Sequence, residues 1–157
     1  MVSREDVERF LDRLTAEGVT YSEVEPGLWR VRPGGVLDFD IVVTYAPPVV
    51  VLRAKVMELP ADERAHALAR RLLELNATDL LHGAYGIEQE SVVLGEALEL
   101  AHLDYEEFQA SFESMTVALA SHLRELAAIC DYQYHTATHR VVAAARGAAP
   151  DAVHEAR

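Results

Sequence analysis

Hydrophobic residues recur most regularly in the second half of the chain, where eight positions follow one another at intervals of three or four residues. They are Tyr105, Phe108, Phe112, Met115, Leu119, His122, Leu126 and Ile129. This interval is the period of one face of an α-helix. Asp104 is a suitable N-cap, and Glu106 and Glu107 follow it at the positive end of the helix dipole. The pattern predicts a long helix that begins at Asp104 and lies across a sheet.

The first part of the chain predicts one helix and a series of strands. Ser3 caps an amphipathic helix that ends at Gly18 and whose apolar face consists of Val7, Phe10, Leu11 and Leu14. Strands are predicted over 20–24, 28–32, 36–45 and 49–58. Apolar and polar residues alternate most clearly in 28–32 and 36–45, as they do in half-buried strands. Turns rich in proline and glycine separate these segments.

The remaining elements complete a single α+β domain. Pro60 stands at the entry of a second helix that ends near Asn76, with Asp62 and Glu63 in its first turn. A two-strand hairpin covers 84–98. The order is helix, three or four antiparallel strands, helix, two strands and helix, which predicts an antiparallel sheet packed against helices. We assign residues 1–130 to this domain and residues 131–157 to a C-terminal extension, in which the helix continues and the chain then frays.

The charge of the chain restricts the class of partner. The formal net charge is −12 at pH 7. Because phosphate binding requires a basic face, we predict no nucleic-acid partner. No lysine or arginine lies between Arg71 and Arg124, which predicts a negative surface on the second half of the chain. This surface either serves solubility or steers a basic protein or peptide partner.

Targeting and redox features predict a cytoplasmic protein. Polar residues follow the first two positions at once, and the longest apolar run, over 46–52, is far shorter than the roughly 20 residues of a membrane span. We therefore predict no membrane association. A single cysteine, Cys130, cannot form an internal disulfide. Its position beside the apolar stripe favours a small core residue in a reducing compartment.

The strand over 49–58 departs from simple alternation. Its first four residues, from Val49 to Leu52, are all apolar, so both faces of this half of the strand require burial. One interpretation is a strand that the domain itself covers on both sides. The other is an exposed apolar patch that a partner or a second copy covers, formed by Val42, Val49, Val51 and Met57 together with Val92 and Val93.

No residue pattern identifies a reaction. The chain contains no G-x-S-x-G, no Walker loop, no C-x-x-C and no G-x-G-x-x-G after a strand. Asp38 and Asp40 share one face of a predicted strand and could be taken for an acid and base pair. Arg30, Arg32, Arg53 and Lys55 on neighbouring strands favour cross-strand ion pairs instead. We predict no enzyme activity and no cofactor.

Two further groups of polar residues are candidate sites. Asp131, His135 and His139 recur at intervals of four on the predicted helix, but the outer two are about 12 Å apart, so one ion could use only two of them. We predict no metal site. The alternative function is a small-molecule-binding or catalytic domain, with a pocket between the sheet and the long helix at which four side chains converge: Tyr85, His102, Tyr105 and His122.

Four stretches carry a resemblance to a known fold. Leu75-Asn76 closes the second helix, Gly83-Ala-Tyr-Gly-Ile begins the hairpin, Val92-Val-Leu-Gly-Glu-Ala-Leu continues it, and Leu103-Asp-Tyr-Glu-Glu-Phe starts the last helix. With the element order, they resemble the type III secretion chaperone-like fold, a superfamily that includes the YbjN-like proteins and the Tir-chaperone family. The resemblance covers about residues 3–129.

The resemblance implies a small, acidic, cytoplasmic and bacterial protein that is not an enzyme and is usually a homodimer. Secretion chaperones of this fold keep an extended segment of a client wrapped around their surface. We therefore expect a chaperone-like or regulatory module that binds an extended segment of a protein partner. A sheet with apolar excess and an acidic surface suits such a segment, because apolar contacts bind it and charge steers it.

Overall fold

The computed structural model describes residues 1–35 and 38–147, with side chains described as far as Cys130. The elements are α1 (Arg4–Thr15), β1 (Thr20–Glu25), β2 (Leu28–Arg32), β3 (Ile41–Ala46), β4 (Val49–Glu58), α2 (Arg64–Thr78), β5 (Ala84–Glu88), β6 (Ser91–Glu99) and α3 (Tyr105–Gly147). This order confirms the predicted α+β class, with four strands in the first group.

Within the described residues, six strands form one antiparallel sheet in the order β1-β2-β3-β4-β6-β5. The first four strands follow one another as a meander. The chain then leaves the sheet through α2 and returns so that β6 pairs with β4 and β5 becomes an edge strand. Strand β4 is therefore held on both sides, which explains why it is long and rich in apolar residues.

The core lies between one face of this sheet and the helices. Alternate strand residues point into it, including Trp29, Val43, Leu52 and Leu94, none of which has any exposed surface. The apolar stripe of α3 covers these side chains: Phe108, Met115 and Leu126 are fully buried and the stripe's other members are buried or packed against the core. The predicted long helix and its inward face are confirmed.

The N-terminal ends of α1 and α3 are fixed by side-chain caps. The backbone N–H of Asp6 donates to Ser3 Oγ at 3.2 Å, and the Ser3 N–H donates to Asp6 Oδ2 at 2.9 Å, which completes a capping box. At the start of α3 the N–H of Glu107 donates to Asp104 Oδ1 at 2.8 Å. Both predicted caps are confirmed.

The predicted starts of two elements were wrong. The third strand begins at Ile41 and not at residue 36, because Asp40 lies outside the ladder and its carboxylate accepts from Arg32 Nε at 3.2 Å. Aspartate is disfavoured within strands. Helix α2 begins at Arg64, because Asp62 Oδ1 accepts from the Arg64 backbone N–H at 3.0 Å and forms a turn before the helix. Asp62 and Glu63 therefore precede the first turn.

The C-terminal end of α2 holds the edge strand β5. Asn76 does not end the helix, which continues to Thr78. Its side-chain amide instead donates from Nδ2 to the Tyr85 carbonyl oxygen at 2.9 Å and accepts the Tyr85 N–H at Oδ1 at 2.7 Å. One side chain thus satisfies both backbone groups of a residue at the edge of the sheet.

Helix α3 extends into the predicted C-terminal extension. It continues to Gly147, whereas the part of the extension predicted to fray, 148–157, lies outside the described residues.

None of the helices in 1–35 and 38–147 combines the length and the hydrophobicity that crossing a membrane requires.

The buried face of α3 yields the first test. Phe108→Ala removes a fully buried ring that contacts Phe10 at a centroid distance of 5.6 Å, and we expect it to lower the free energy of unfolding by about 3–5 kcal/mol. Val117→Ala on the exposed side of the same helix is the matched control, with an expected change within about 0.5 kcal/mol. Urea denaturation measures both. Equal losses in the two variants would contradict the assigned orientation of α3.

Candidate functional site

The face of the sheet opposite the helices is the most extensive candidate surface. Its side chains alternate with the core residues along each strand and remain half-buried or exposed, so no described element covers this face. Apolar residues of this face cluster around Val49 and Val51, and Arg53 and Lys55 follow them along β4 on the same face. We define the open-face patch as Leu28, Val42, Thr44, Val49, Val51, Val93 and Ala97.

Strand register brings the patch together. Val51 lies between its cross-strand partners Thr44 on β3 and Ala97 on β6. Val49 lies one step along the same face of β4, and Val93 lies opposite Lys55 on that face. Directly paired residues of an antiparallel sheet point to the same side. Four predicted positions, Val42, Val49, Val51 and Val93, therefore share one surface.

The other two predicted patch residues lie elsewhere. A β-bulge between Lys55 and Met57 shifts the register of β4 by one residue, so that Met57 pairs with Val92. Val92 is fully buried on the helix-covered face, and Met57 packs against the same core. Since a one-residue shift moves a side chain to the opposite face, Met57 and Val92 cannot contribute to the patch. That the remaining positions bind a partner stays a prediction.

Charged side chains border the patch at one end. Arg30 lies 3.5 Å from Asp40, and Arg32 lies 3.2 Å from Asp40 and 3.8 Å from Asp38. Arg30 and Arg32 thus form the expected ion pairs with Asp38 and Asp40, although both aspartates precede β3. Arg53 and Lys55 do not join them, because Arg53 pairs with Glu88 and Lys55 with Glu58. Both arginines and Asp38 are largely exposed and Asp40 is half-buried, so these pairs add little stability. Their role is a polar rim around an apolar centre, as at many protein interfaces.

A shallow depression adjoins the valines of the patch. It has a volume of about 420 Å³ and is bordered by Val51, Val93, Gly86, Gly95 and Ala97. The glycines and alanine lack side chains that would fill the surface above the backbone. Sequence reasoning missed Leu28, Thr44 and Ala97 as patch members. The alternation along β6 could have identified Ala97, because Val93, Gly95 and Ala97 alternate with the buried Val92 and Leu94 and so lie on one face.

The alternative pocket does not assemble. Tyr85 Oη and His122 Nδ1 are 2.9 Å apart, but His102 is exposed and Tyr105 packs on Phe10 near the opposite end of the domain. Tyr105 and His122 are about 25 Å apart along α3 at 1.5 Å per residue. The predicted convergence of the four side chains was therefore wrong. Fully buried side chains such as Trp29, Phe108 and Leu94 lie in the interface between sheet and helix. A depression of about 520 Å³, lined by residues that include Val56, Leu119 and Leu123, contains none of the four predicted side chains.

Tyr85, His122 and Asp79 instead form a hydrogen-bonded chain between three elements. His122 Nε2 lies 3.4 Å from Asp79 Oδ2, and His122 is only 6% exposed. Burial raises the pKa of Tyr85 to about 12, with the negative charge of Glu125 contributing further. The Thr78 hydroxyl and, after it, His122 lower the pKa of Asp79 from its ordinary value. These hydrogen bonds connect β5, α3 and the residue that follows α2. They give the buried His122 a structural role within the apolar stripe of α3.

The described side chains do not assemble a metal site. Among the residues whose side chains are described, no group of three or more histidine, cysteine, aspartate or glutamate side chains could hold a metal ion. Asp131, His135 and His139 lie beyond those side chains.

The hydrogen-bonded chain gives a pH-dependent prediction. Tyr85→Phe leaves His122 Nδ1 without its phenol donor in a buried position, so we expect a loss of about 1–3 kcal/mol at pH 7. The pKa of Tyr85 is raised from 10.0 to about 12, so its stabilising contribution is complete below pH 10 and is lost as pH rises through 12. The difference in unfolding free energy between the two proteins should therefore shrink over that interval.

Tyr45→Phe is the matched control for this experiment. It removes a hydroxyl whose contact with the Val2 carbonyl oxygen is 3.4 Å long, so its cost at pH 7 should be smaller than that of Tyr85→Phe. Urea denaturation at pH 7 and at several values up to pH 12 provides the measurement. A difference between wild type and Tyr85→Phe that stays constant up to pH 12 would contradict the assigned environment of Tyr85.

Solved structures share the fold described above. The ExoU–SpcU heterodimeric complex from the type III secretion system of Pseudomonas aeruginosa matches with a TM-score of 0.59 at 13% identity, over 76% of this chain and 96% of that chain. YbjN from E. coli matches with a TM-score of 0.57 at 17% identity, over 78% and 93%. The HopA1–SchA chaperone–effector complex matches with a TM-score of 0.51 at 12% identity, over 80% and 96%.

These identities are low, so the likeness to the solved structures establishes the fold alone. No curated protein matches the sequence. A family model, CesT_Tir_1, matches residues 2–132, which include every described strand, the first two helices and the buried stripe of α3. The chain has the type III secretion chaperone-like fold and belongs to the CesT_Tir_1 family.

Proposed function

We propose that this chain is a non-enzymatic, chaperone-like or regulatory module that binds an extended segment of a protein partner. Membership of the CesT_Tir_1 family supports a protein-binding role. Similarity to the ExoU–SpcU and HopA1–SchA complexes supports it further, since each of those structures holds two different proteins together. A cytoplasmic location accords with this role, as the resemblance implies.

The open-face patch is the observation that carries the proposal. Its valines are apolar, only half-buried and accessible from solvent on a face that no described element covers. Apolar surface removed from water contributes roughly 25 cal/mol per Å², so a partner that covers the patch gains free energy from it. The charged rim at Arg30, Arg32 and Asp40 gives the surface the apolar centre and polar border of a protein interface.

A second copy of the chain is one partner that the patch suits. A twofold axis places the same surface of two copies in contact. Val49 and Val51 of β4 lie beside the depression that is bordered by Gly86, Gly95 and Ala97. The valine side chains of one copy can therefore enter the depression of the other. We therefore include a homodimer in the proposal, with a mass near twice 17.4 kDa.

Client binding involves charge as well as apolar contact. With a formal net charge of −12, the chain attracts basic segments and repels acidic ones, including nucleic acids. An extended segment with alternating apolar and basic side chains would place apolar groups on the patch and direct its charges towards the acidic parts of the surface.

Replacement of Val49 and Val51 by aspartate tests the patch. Val49→Asp with Val51→Asp puts two charges at the centre of the apolar surface, and we expect the domain to stay folded because neither side chain lies in the core. Light scattering coupled to size exclusion, at low and moderate salt, should show a salt-insensitive dimer for wild type and a monomer for the variant. Far-UV circular dichroism should be unchanged.

Thr20→Asp with Ser22→Asp is the matched control. It adds the same charge to exposed positions at the edge of the same face, and it should leave the dimer intact. Reduced and alkylated lysozyme, a basic unfolded chain, serves as the client probe at moderate salt. Wild type and control should bind it in place of the second copy, so that the dimer dissociates as the client binds, and the valine variant should bind neither. Unfolding of the valine variant would show that these residues are core, and equal binding by all three proteins would refute the patch.

A further inference from the structure

Two depressions lie on the helical side of the molecule, on either side of the exposed side chain of Val117 on α3. One has a volume of about 470 Å³ and is lined by residues that include Leu14, Val19 and Phe112. The other has a volume of about 570 Å³ and is lined by residues that include Leu80, Leu81 and Ala118. Glu113 and Val117 line both. We call this surface, Val117 with the two depressions, the α3 saddle.

The saddle presents large apolar side chains to solvent. Leu81 is 92% exposed and Val117 is 63% exposed. The part of α3 that lines the second depression includes three small side chains, Ala110, Ser114 and Ala118, which are spaced by four residues and so form one low ridge of the helix. A single exposed leucine or valine needs no explanation, but here two exposed residues adjoin hollows that are lined by both apolar and polar side chains.

The charge of the saddle is negative. Glu17 and Glu113 border the first depression and Asp79 borders the second. No lysine or arginine is among the described residues that line either one. Glu17 and Glu113 accept hydrogen bonds from the side-chain amide of Gln109, at 2.6 Å and 3.0 Å. Because this amide is neutral, it does not neutralise the charge of either carboxylate. A cationic occupant would be attracted to this surface.

We propose that the α3 saddle binds an extended segment with two apolar side chains separated by basic residues. A helix with its side chains is roughly 10 Å across, and an extended chain advances about 3.3 Å per residue. A segment that follows the curved surface of α3 from one depression to the other covers about half the helix circumference, roughly 16 Å, so it needs about four to six residues between the side chains that enter the two depressions. Lysine or arginine in that interval would lie over Glu113. The inference rests on the proposed function and adds a second contact surface, opposite the open-face patch.

A labelled peptide tests the saddle directly. The probe has about 11 residues, with two leucines separated by about five residues that include three arginines, and its control carries serine in place of both leucines. Fluorescence anisotropy gives the dissociation constants. We expect wild type to bind the leucine peptide more tightly than the serine peptide. Val117→Glu and Leu81→Ser should each weaken binding about tenfold, because each removes an apolar contact.

Two variants separate specific contact from general charge. Glu113→Gln should weaken binding several-fold and reduce its dependence on salt. Val24→Glu replaces another exposed valine, 58% exposed on β1, and should leave binding unchanged. Equal affinities for Val117→Glu and Val24→Glu would overturn the inference, as would equal affinities of wild type for the two peptides. A change of Val117→Glu from dimer to monomer would also overturn it, since a second copy would then occupy the saddle.

The two proposals can fail separately. If the saddle variants bind the leucine peptide like wild type, while Val49→Asp with Val51→Asp loses the unfolded lysozyme probe, the saddle is refuted and the open-face patch stands. If wild type binds neither the peptide nor the unfolded chain, both proposals fail.

Discussion

The contact between α3 and one face of the sheet is the constraint on which the rest of the molecule depends. The helix places a side chain on this contact every three or four residues, and the strands place one every second residue. The two periods meet in a layer that includes Trp29, Leu94, Phe108 and Met115, all without exposed surface. Such a layer is packed closely enough that the removal of one ring leaves a void. Because the helices lie on one side, no described element covers the opposite face of the sheet.

This one-sided arrangement separates the molecule's stability from its binding surfaces. The core uses Val43, Leu52 and Val92, while the adjacent positions along the same strands, Val42, Val51 and Val93, face outward. Substitutions at the outward positions can therefore alter contacts with other proteins at small cost to folding. The apolar stripe of α3 also contains a polar residue, His122. His122 is tolerated there because Tyr85 and Asp79 each supply a partner for one of its ring nitrogens.

Sequence periodicity was sufficient for the elements that span many residues. The stripe of α3, its cap at Asp104 and the two-strand hairpin were all predicted, because each depends on local spacing. The face to which Met57 points was not, since a bulge in β4 reverses it and the sequence contains no mark of that bulge. The α3 saddle also escaped prediction. Leu81 and Val117 are separated by more than thirty positions, and only the packing of the α2–β5 connection beside α3 brings them to one surface.

The amide of Asn76 has a consequence for how this sheet can grow. An exposed edge strand offers its backbone N–H and C=O groups to any other strand, including one from another copy. At Tyr85 both groups are already occupied by the Asn76 side chain, which takes the place that the peptide group of a seventh strand would fill. The β5 edge is thus closed at this point from within the chain. Copies that meet there cannot continue the hydrogen-bond ladder in register, so their association is directed to side-chain surfaces, and ordered stacking of sheets edge to edge is opposed.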